Sequence, residues 1–195
     1  MDKGLLEMIK KVFMDFGVGK NFHNVKHYAL KNYYIIVIDK KSGTHNEYDE
    51  VYNINKHFVD KRIIGDWNND YDIPKVDVWF CTSCFEHIIP ENVEASIHGI
   101  IKKIKKNSTG TLSIDLSDHL GGFNHYNDNL YKSKAYNSSY LNRIKCLEWK
   151  NIFFKYFIFD YTENFFEDNI SNPRNIVFSK MRLNKNGLKV IENDI

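Results

Sequence analysis

The stretch VFMDFGVGKN, residues 12–21, decides the fold. It opens as a short, largely apolar run and breaks at Gly17 and Gly19, which reads as a strand running into a tight turn. Upstream, GLLEMIKK (4–11) places Leu5, Leu6 and Ile9 at helical spacing, so a helix is predicted to end just before that strand. Downstream, Phe22 to Leu30 is predicted helical, with Asn21 as its cap. Next comes YYIIVIDKK (33–41), a continuous β-branched and aromatic run of the kind that forms strands buried on both faces. Strand, glycine turn, helix and buried strand together predict a parallel sheet.

The pattern continues along the chain. Polar residues from Lys40 to Glu50 read as a loop, KRIIGDW (61–67) as a third strand and VDVWFCTS (76–83) as a fourth. In residues 91–106, Val93, Ile97, Ile100, Ile101 and Ile104 share one helical face, as in a helix that covers a sheet. Asn107 to Gly110 reads as a turn and TLSIDLS (111–117) as a fifth strand. Residues 118–140, rich in Gly, Asn, Tyr and Ser, form a long polar segment expected on the substrate side. Tyr140 to Phe154 is predicted helical, and FIFDYTENFF with NIVFSKMRL predicts a terminal pair of strands around the turn-rich EDNISNPR.

A length of 195 residues predicts a single domain, 1–195, and 43% hydrophobic with 15% aromatic residues supplies a core. Lys+Arg 27 against Asp+Glu 25 leaves a net charge of +2, which argues against a nucleic-acid partner. The run KKIKK (102–106) has no basic or aromatic companions and reads as a solvated helix face. The strongest apolar stretch, IFFKYFIFDY, carries Lys155 and Asp160, so no membrane span is expected. The N-terminal residues lack the uninterrupted apolar core of a signal peptide, and Cys81, Cys84 and Cys146 do not make a secreted disulfide framework. A cytoplasmic setting is expected. Sequence alone does not fix an oligomeric state.

Three features fall at consecutive strand ends. Gly17 and Gly19 let the backbone approach a ligand closely, although a lone G-x-G is also an ordinary turn. Asp39 ends the next strand, about two dozen residues on, where a carboxylate accepts both ribose hydroxyls in a doubly wound sheet. Gly65-Asp66-Trp67 ends the third, where an aspartate can accept from an adenine amino group. Each alone is a turn; in chain order they are a glycine loop, a ribose acid and an adenine acid.

Over about residues 10–180 the chain resembles the class I S-adenosylmethionine-dependent methyltransferases. DFGVGKN is similar to the family's first motif, GDW to the segment flanking adenine, CTSCFEHI to a fourth-strand stretch of small-molecule methyltransferases, and SIDLSDH to the fifth strand of one bacterial subset. Asn21 stands where a third glycine is frequent. The resemblance implies an α/β, Rossmann-like, doubly wound and mostly parallel sheet of about seven strands. Its strand order would reverse between the first and fourth strands, with an antiparallel C-terminal edge strand. It implies S-adenosyl-L-methionine as cofactor, held by Asp15, Phe16, Gly17, Gly19, Asp39, Lys40, Asp66, Trp67 and Cys81. It further implies methyl transfer to an oxygen or nitrogen of a small molecule or sugar.

An acceptor must lose a proton as it attacks, so a base near the transferred group is expected. His119, just past the fifth strand, is the first choice, with Asp115 or Asp118 to orient it and His87 as the second candidate. His125 and Tyr126 are expected at the substrate. Cys81-Thr82-Ser83-Cys84 has the spacing of a redox pair, and with His87 and Cys146 the residue types of a zinc site. Buried, inert thiols beside the cofactor are the reading preferred here, and no metal is expected. The aromatic stripe Phe153–Phe166 is read as core rather than as pocket lining. Two alternatives stand beside methyl transfer: a nucleoside-binding module without catalysis, and a nicotinamide-linked oxidoreductase, disfavoured because no glycine follows at 22.

Overall fold

The computed structural model describes residues 10–18, 22–39, 46–116, 142, 144–166 and 169–193. Seven strands form one sheet in the order β3-β2-β1-β4-β5-β7-β6. They are β1 Val12–Phe16, β2 Tyr34–Asp39, β3 Lys61–Ile64, β4 Val76–Thr82, β5 Ile104–Asp115, β6 Phe157–Phe166 and β7 Asn169–Leu183. The first five pair in parallel, and β7 runs antiparallel to both β5 and β6. The order reverses between β1 and β4, as expected. The antiparallel C-terminal strand is present too, but it lies one place inside the edge, which is formed by β6.

Both faces of the sheet are covered. Helix α1 (His23–Leu30) buries Val25 with Phe13, Ile35 and Val37 on one face, where Val51 and Tyr52 of α2 (Asn46–Asn55) join them. On the other, α3 (Pro90–Lys103) lays Val93, Ile97, Ile100 and Ile101 over Met14, Ile36 and Trp79. Trp149 and Phe153 of α4 (Cys146–Phe154) extend that core to Phe178 of β7. Burial on both faces explains why β1 and β2 read as continuous apolar runs.

Five local expectations are corrected. Residues 46–50 begin helix α2 rather than continuing a loop, since Val51, Tyr52 and the buried Asn55 give that segment a face to pack. The helix over 91–106 stops at Lys103, and the turn expected at 107–110 is strand. Ile104 suits either element, but opposite Val76 it fills a sheet position, and from Ser108 onward burial alternates with the two-residue period of a strand. The helix expected from Tyr140 begins at Cys146, where Glu148 accepts the Lys145 backbone N–H at 2.7 Å and fixes its start. The turn expected at 167–174 is strand from Asn169 onward. A short helix α5 (Lys185–Glu192) follows β7, opened by the Asn184 side chain accepting the N–H groups of Asn186 and Gly187 at 2.9 and 3.1 Å. The aromatic stripe divides: Phe153 and Phe157 are core, while Phe154 and Phe165 are exposed.

Candidate functional site

Parallel strands deliver their carboxyl ends to one edge of the sheet, and at an order reversal the loops that follow diverge to leave a crevice. Here β1 and β4 stand at that reversal. β1 ends in Gly17, whose N–H donates to the Ile38 carbonyl at 2.8 Å and whose φ is +80°, in the left-handed region that glycine tolerates. A Cβ added to Gly17 would lie 2.2 Å from the Cys84 sulfur. Cys84, just beyond β4, occupies that space, its thiol 3.2 Å from the Thr82 carbonyl and 3.5 Å from those of Phe16 and Gly17. Between the two cysteines Ser83 is held at φ 52°, strain of about 1–3 kcal/mol of the kind that collects at functional sites.

Next to this turn, β2 ends in Asp39, whose carbonyl accepts the Gly65 N–H at 2.9 Å and so ties the exits of β2 and β3 together. The loop after β3 is built on Asp66. Its carboxylate accepts the Asn68 N–H at 2.9 Å and its carbonyl accepts the Tyr71 hydroxyl at 2.9 Å. Trp67 turns inward, stacked on Phe85 with ring centroids 5.7 Å apart and edge-on to Phe16 at 5.8 Å. Lys103 of α3 holds the loop from below. Its ammonium donates to the carbonyls of Trp67, Asn69 and Gly99 at 2.5, 2.9 and 3.3 Å, and burial lowers its pKa.

On the β4 side, the short 3-10 turn Phe85–His87 exposes His87 and buries Glu86. One Glu86 oxygen accepts the Asp115 N–H at 3.2 Å, joining the exits of β4 and β5, while the other has no hydrogen-bond partner among the described residues. Asn142 clamps the same turn. Its backbone N–H donates to the Glu86 carbonyl at 2.6 Å and its side chain to the carbonyls of Phe85 and Ile88 at 2.7 and 2.8 Å.

Asp15 and Glu86 are each 2% exposed, and Asp15 also has a carboxyl oxygen without a hydrogen-bond partner among the described residues. Burial first, and the charge of Asp39 second, push the Asp15 carboxyl up to about 8. Burial likewise pushes Glu86 up to about 8, with the Asp115 charge adding to it against hydrogen bonds that pull the other way. Burial, the hydrogen bond to Cys84 and the nearby acids hold the Cys81 thiol protonated. At Cys84 the hydrogen bond from Cys81 acts downward, but burial and the carboxyls of Glu86, Asp15 and Asp39 outweigh it. Neither thiol has the lowered pKa of a redox nucleophile. Among the described residues no cluster of His, Cys, Asp and Glu is arranged to hold a metal ion.

The structure thus brings Asp15, Gly17, Asp39, Asp66, Trp67, Cys81, His87 and Asp115 to the strand-exit edge. Phe16 lies there too, but its ring is wholly buried against Trp67 and Trp79, so only its backbone faces the turn. Gly19, Asn21, Lys40, Asp118, His119, His125 and Tyr126, with the rest of segment 118–140, lie outside the described residues. Glu86 and Asn142 have no counterpart in the sequence reading, and the reading of 102–106 as a solvated helix face fails, because Lys103 is buried on three carbonyls and residues 104–106 are strand. The signal for Glu86 in the sequence is its place beside His87 in FEHI, at the exit of the fourth strand.

No protein-family profile and no curated protein sequence matches the chain. Its backbone does superpose on solved structures. One is an S-adenosylmethionine-dependent methyltransferase from Clostridium acetobutylicum ATCC 824, with a TM-score of 0.60 at 10% identity over 86% of this chain and 82% of that one. A second is the 1,6-didemethyltoxoflavin-N1-methyltransferase of Burkholderia thailandensis, holding 1,6-didemethyltoxoflavin and S-adenosylhomocysteine, with a TM-score of 0.61 at 11% identity over 90% and 72%. A third, described as a pericyclic reaction enzyme, gives 0.55 at 10% identity over 92% of this chain but 45% of that one. The chain has the fold of the class I S-adenosylmethionine-dependent methyltransferases.

Proposed function

We propose that the chain binds S-adenosylmethionine along the exits of β1, β2 and β3 and transfers its methyl group to an oxygen or nitrogen of a small molecule or sugar. The observation that carries this is the convergence of the Gly17 turn, Asp39 and the Asp66-Trp67 loop on the crevice beside the β1–β4 reversal. The donor set fits the cofactor's chemistry, because buried carboxyl oxygens of Asp15 and Glu86 that have no hydrogen-bond partner among the described residues suit a ligand with a cationic end. When bound, S-adenosylmethionine supplies an electrophilic methyl carbon on a sulfonium, so the protein's task is chiefly alignment. Gly17 gives close backbone approach, Asp39 accepts the ribose hydroxyls, and Asp66 and Trp67 flank the base. His119 takes the acceptor's proton, with Asp115 or Asp118 orienting its ring and His125 and Tyr126 facing the acceptor; His87 is the second choice for the proton.

S-adenosylhomocysteine should raise the melting temperature while NAD does not, since a ligand selective for the folded state stabilises it. A shift with NAD alone would reject the proposal. Asp39→Ala should weaken S-adenosylhomocysteine binding by about 1.5–3 kcal/mol, the usual worth of hydrogen bonds to a charged acceptor. Because the fold is shared with a protein described as a pericyclic reaction enzyme, it is not tied to methyl transfer alone, and the second reading is a module that binds the nucleoside without catalysis. Formation of S-adenosylhomocysteine over a panel of hydroxyl and amine acceptors separates the two.

A further inference from the structure

β6 closes one edge of the sheet and has β7 as its one sheet neighbour among the described residues. Soluble proteins blunt such edges with short strands, lysine, proline or bulges, because a free row of N–H and C=O groups templates pairing with another chain. β6 uses none of these devices. It runs ten residues, FIFDYTENFF, without lysine, arginine, proline or glycine. Each register shift against β7 is taken up by extra residues on β7, so β6 itself is unbroken. Apolar side chains lie open along it. Ile158 and Phe165, near its two ends, are 54 and 43% exposed. On neighbouring α4, Leu147 and Phe154 lie seven residues apart, hence on one helical face, and are 68 and 66% exposed. Phe154 meets Phe159 of β6 edge-on at 6.3 Å, joining helix and strand into one strip.

Thr162 stands at the centre of a run that complements its own reverse, flanked by Tyr161 and Glu163, Asp160 and Asn164, Phe159 and Phe165. Two antiparallel copies related by an axis normal to a continuous sheet keep their faces, so the axis passes through a single residue. Through Thr162, Phe159 meets Phe165, Asp160 meets Asn164 and Tyr161 meets Glu163 of the other copy. Lys150, whose ammonium lies 4.7 Å over the Tyr161 ring, is then set beside that Glu163, once on each side of the axis. Moved to Asp160 or Glu163, the axis would put like charges directly opposite each other. Moved to Tyr161, it would put Phe159 against Glu163 and Ile158 against Asn164.

We propose that β6 is a homodimer interface: two copies of this chain pair antiparallel along β6 about a two-fold axis at Thr162, making one continuous sheet with the exposed apolar face of each α4 beside the seam. The pairing satisfies the outer backbone groups of β6 and withdraws Ile158 and Phe165 from water. Because the two copies use the same surface, the pair closes on itself at this edge.

Sedimentation velocity of the full chain over a concentration series should show a species of twice the chain mass, with a dissociation constant below about 10 μM. Thr162→Lys brings two ammonium groups face to face with the axis at Thr162 and should weaken association at least about tenfold. With the axis at Tyr161 the same lysine would meet Asp160 and strengthen it. Thr162→Cys carries the test even where the lysine variant does not fold. Directly opposed Cβ atoms lie about 4.5–5.5 Å apart, so copper-catalysed air oxidation should link this variant into a disulfide dimer. Asp160→Cys, whose two copies lie about 14 Å apart in this register, should stay unlinked, as should the wild type with its own three cysteines. A wild-type chain that remains monomeric to about 200 μM overturns the proposal. So does a Thr162→Lys variant that associates as well as wild type, equal linking of the two cysteine variants, or an open ladder of larger species in place of the dimer.

Discussion

At Gly17 the left-handed backbone and the Cys84 sulfur make two separate demands, and the demands can be tested apart. An alanine there meets φ strain of about 1–2 kcal/mol and a collision with the thiol. Gly17→Ala should lower stability by at least about 2 kcal/mol and weaken S-adenosylhomocysteine binding about tenfold or more. Adding Cys84→Ala removes the sulfur but not the strain, so the double variant should regain part of the lost stability without restoring full affinity. Urea titrations measure the first and calorimetry the second; a double variant no more stable than Gly17→Ala would show that the thiol does not limit that position. At this scale Asp15, Gly17, Asp39 and Asp66 were legible, because strand-end glycines and acids stand out against apolar runs. Glu86 was not. Its turn is held by Asn142 and Asp115, which are remote in sequence, and local pattern gives no reason to bury the acid and expose His87.

Among the elements, α3 has a second role besides covering the sheet. Its last residue, Lys103, gathers the carbonyls of Trp67 and Asn69, so the loop on the adenine side is anchored to a helix and not only to β3. Lys103→Met keeps the apolar stem but strands those carbonyls, at about 1–3 kcal/mol. Amides of residues 66–70 should exchange faster in this variant while those of β1 and β2 keep their protection; unchanged exchange at 66–70 would mean that Asp66 and Tyr71 suffice to hold the loop. Sequence could show β1, β2 and β4 because continuous apolar runs of that length fit little else. It could not place the α3–β5 boundary, since Ile104 continues the helical face and also begins the strand. Nor could it show α2, whose residues are mostly polar and whose packing face is narrow.

For the whole molecule, the buried acids set a pH dependence. Asp15 and Glu86 hold protons up to about pH 8 when folded, against ordinary values of 3.8 and 4.5. Between these limits the folded state carries more protons than the unfolded one. The stability they confer is thus fully present below about pH 4 and is lost as pH rises through about 8. The expected decline is on the order of a few kcal/mol. Urea midpoints from pH 5 to 9 should fall in the wild type and stay flatter in the Asp15→Asn, Glu86→Gln double variant; parallel curves would assign the decline to other groups. The placement of β7 between β5 and β6 has a different consequence, one of timing. During synthesis β6 leaves the ribosome before β7, its one sheet neighbour among the described residues, exists, and β5, paired with β4 on one side, waits for the same partner on its other, so β6 stays unpaired and β5 half-paired while residues 169–183 emerge. The C-terminal third therefore joins the sheet in one late step that spans distant parts of the chain, and until then β5 presents an open edge to which other nascent chains can add.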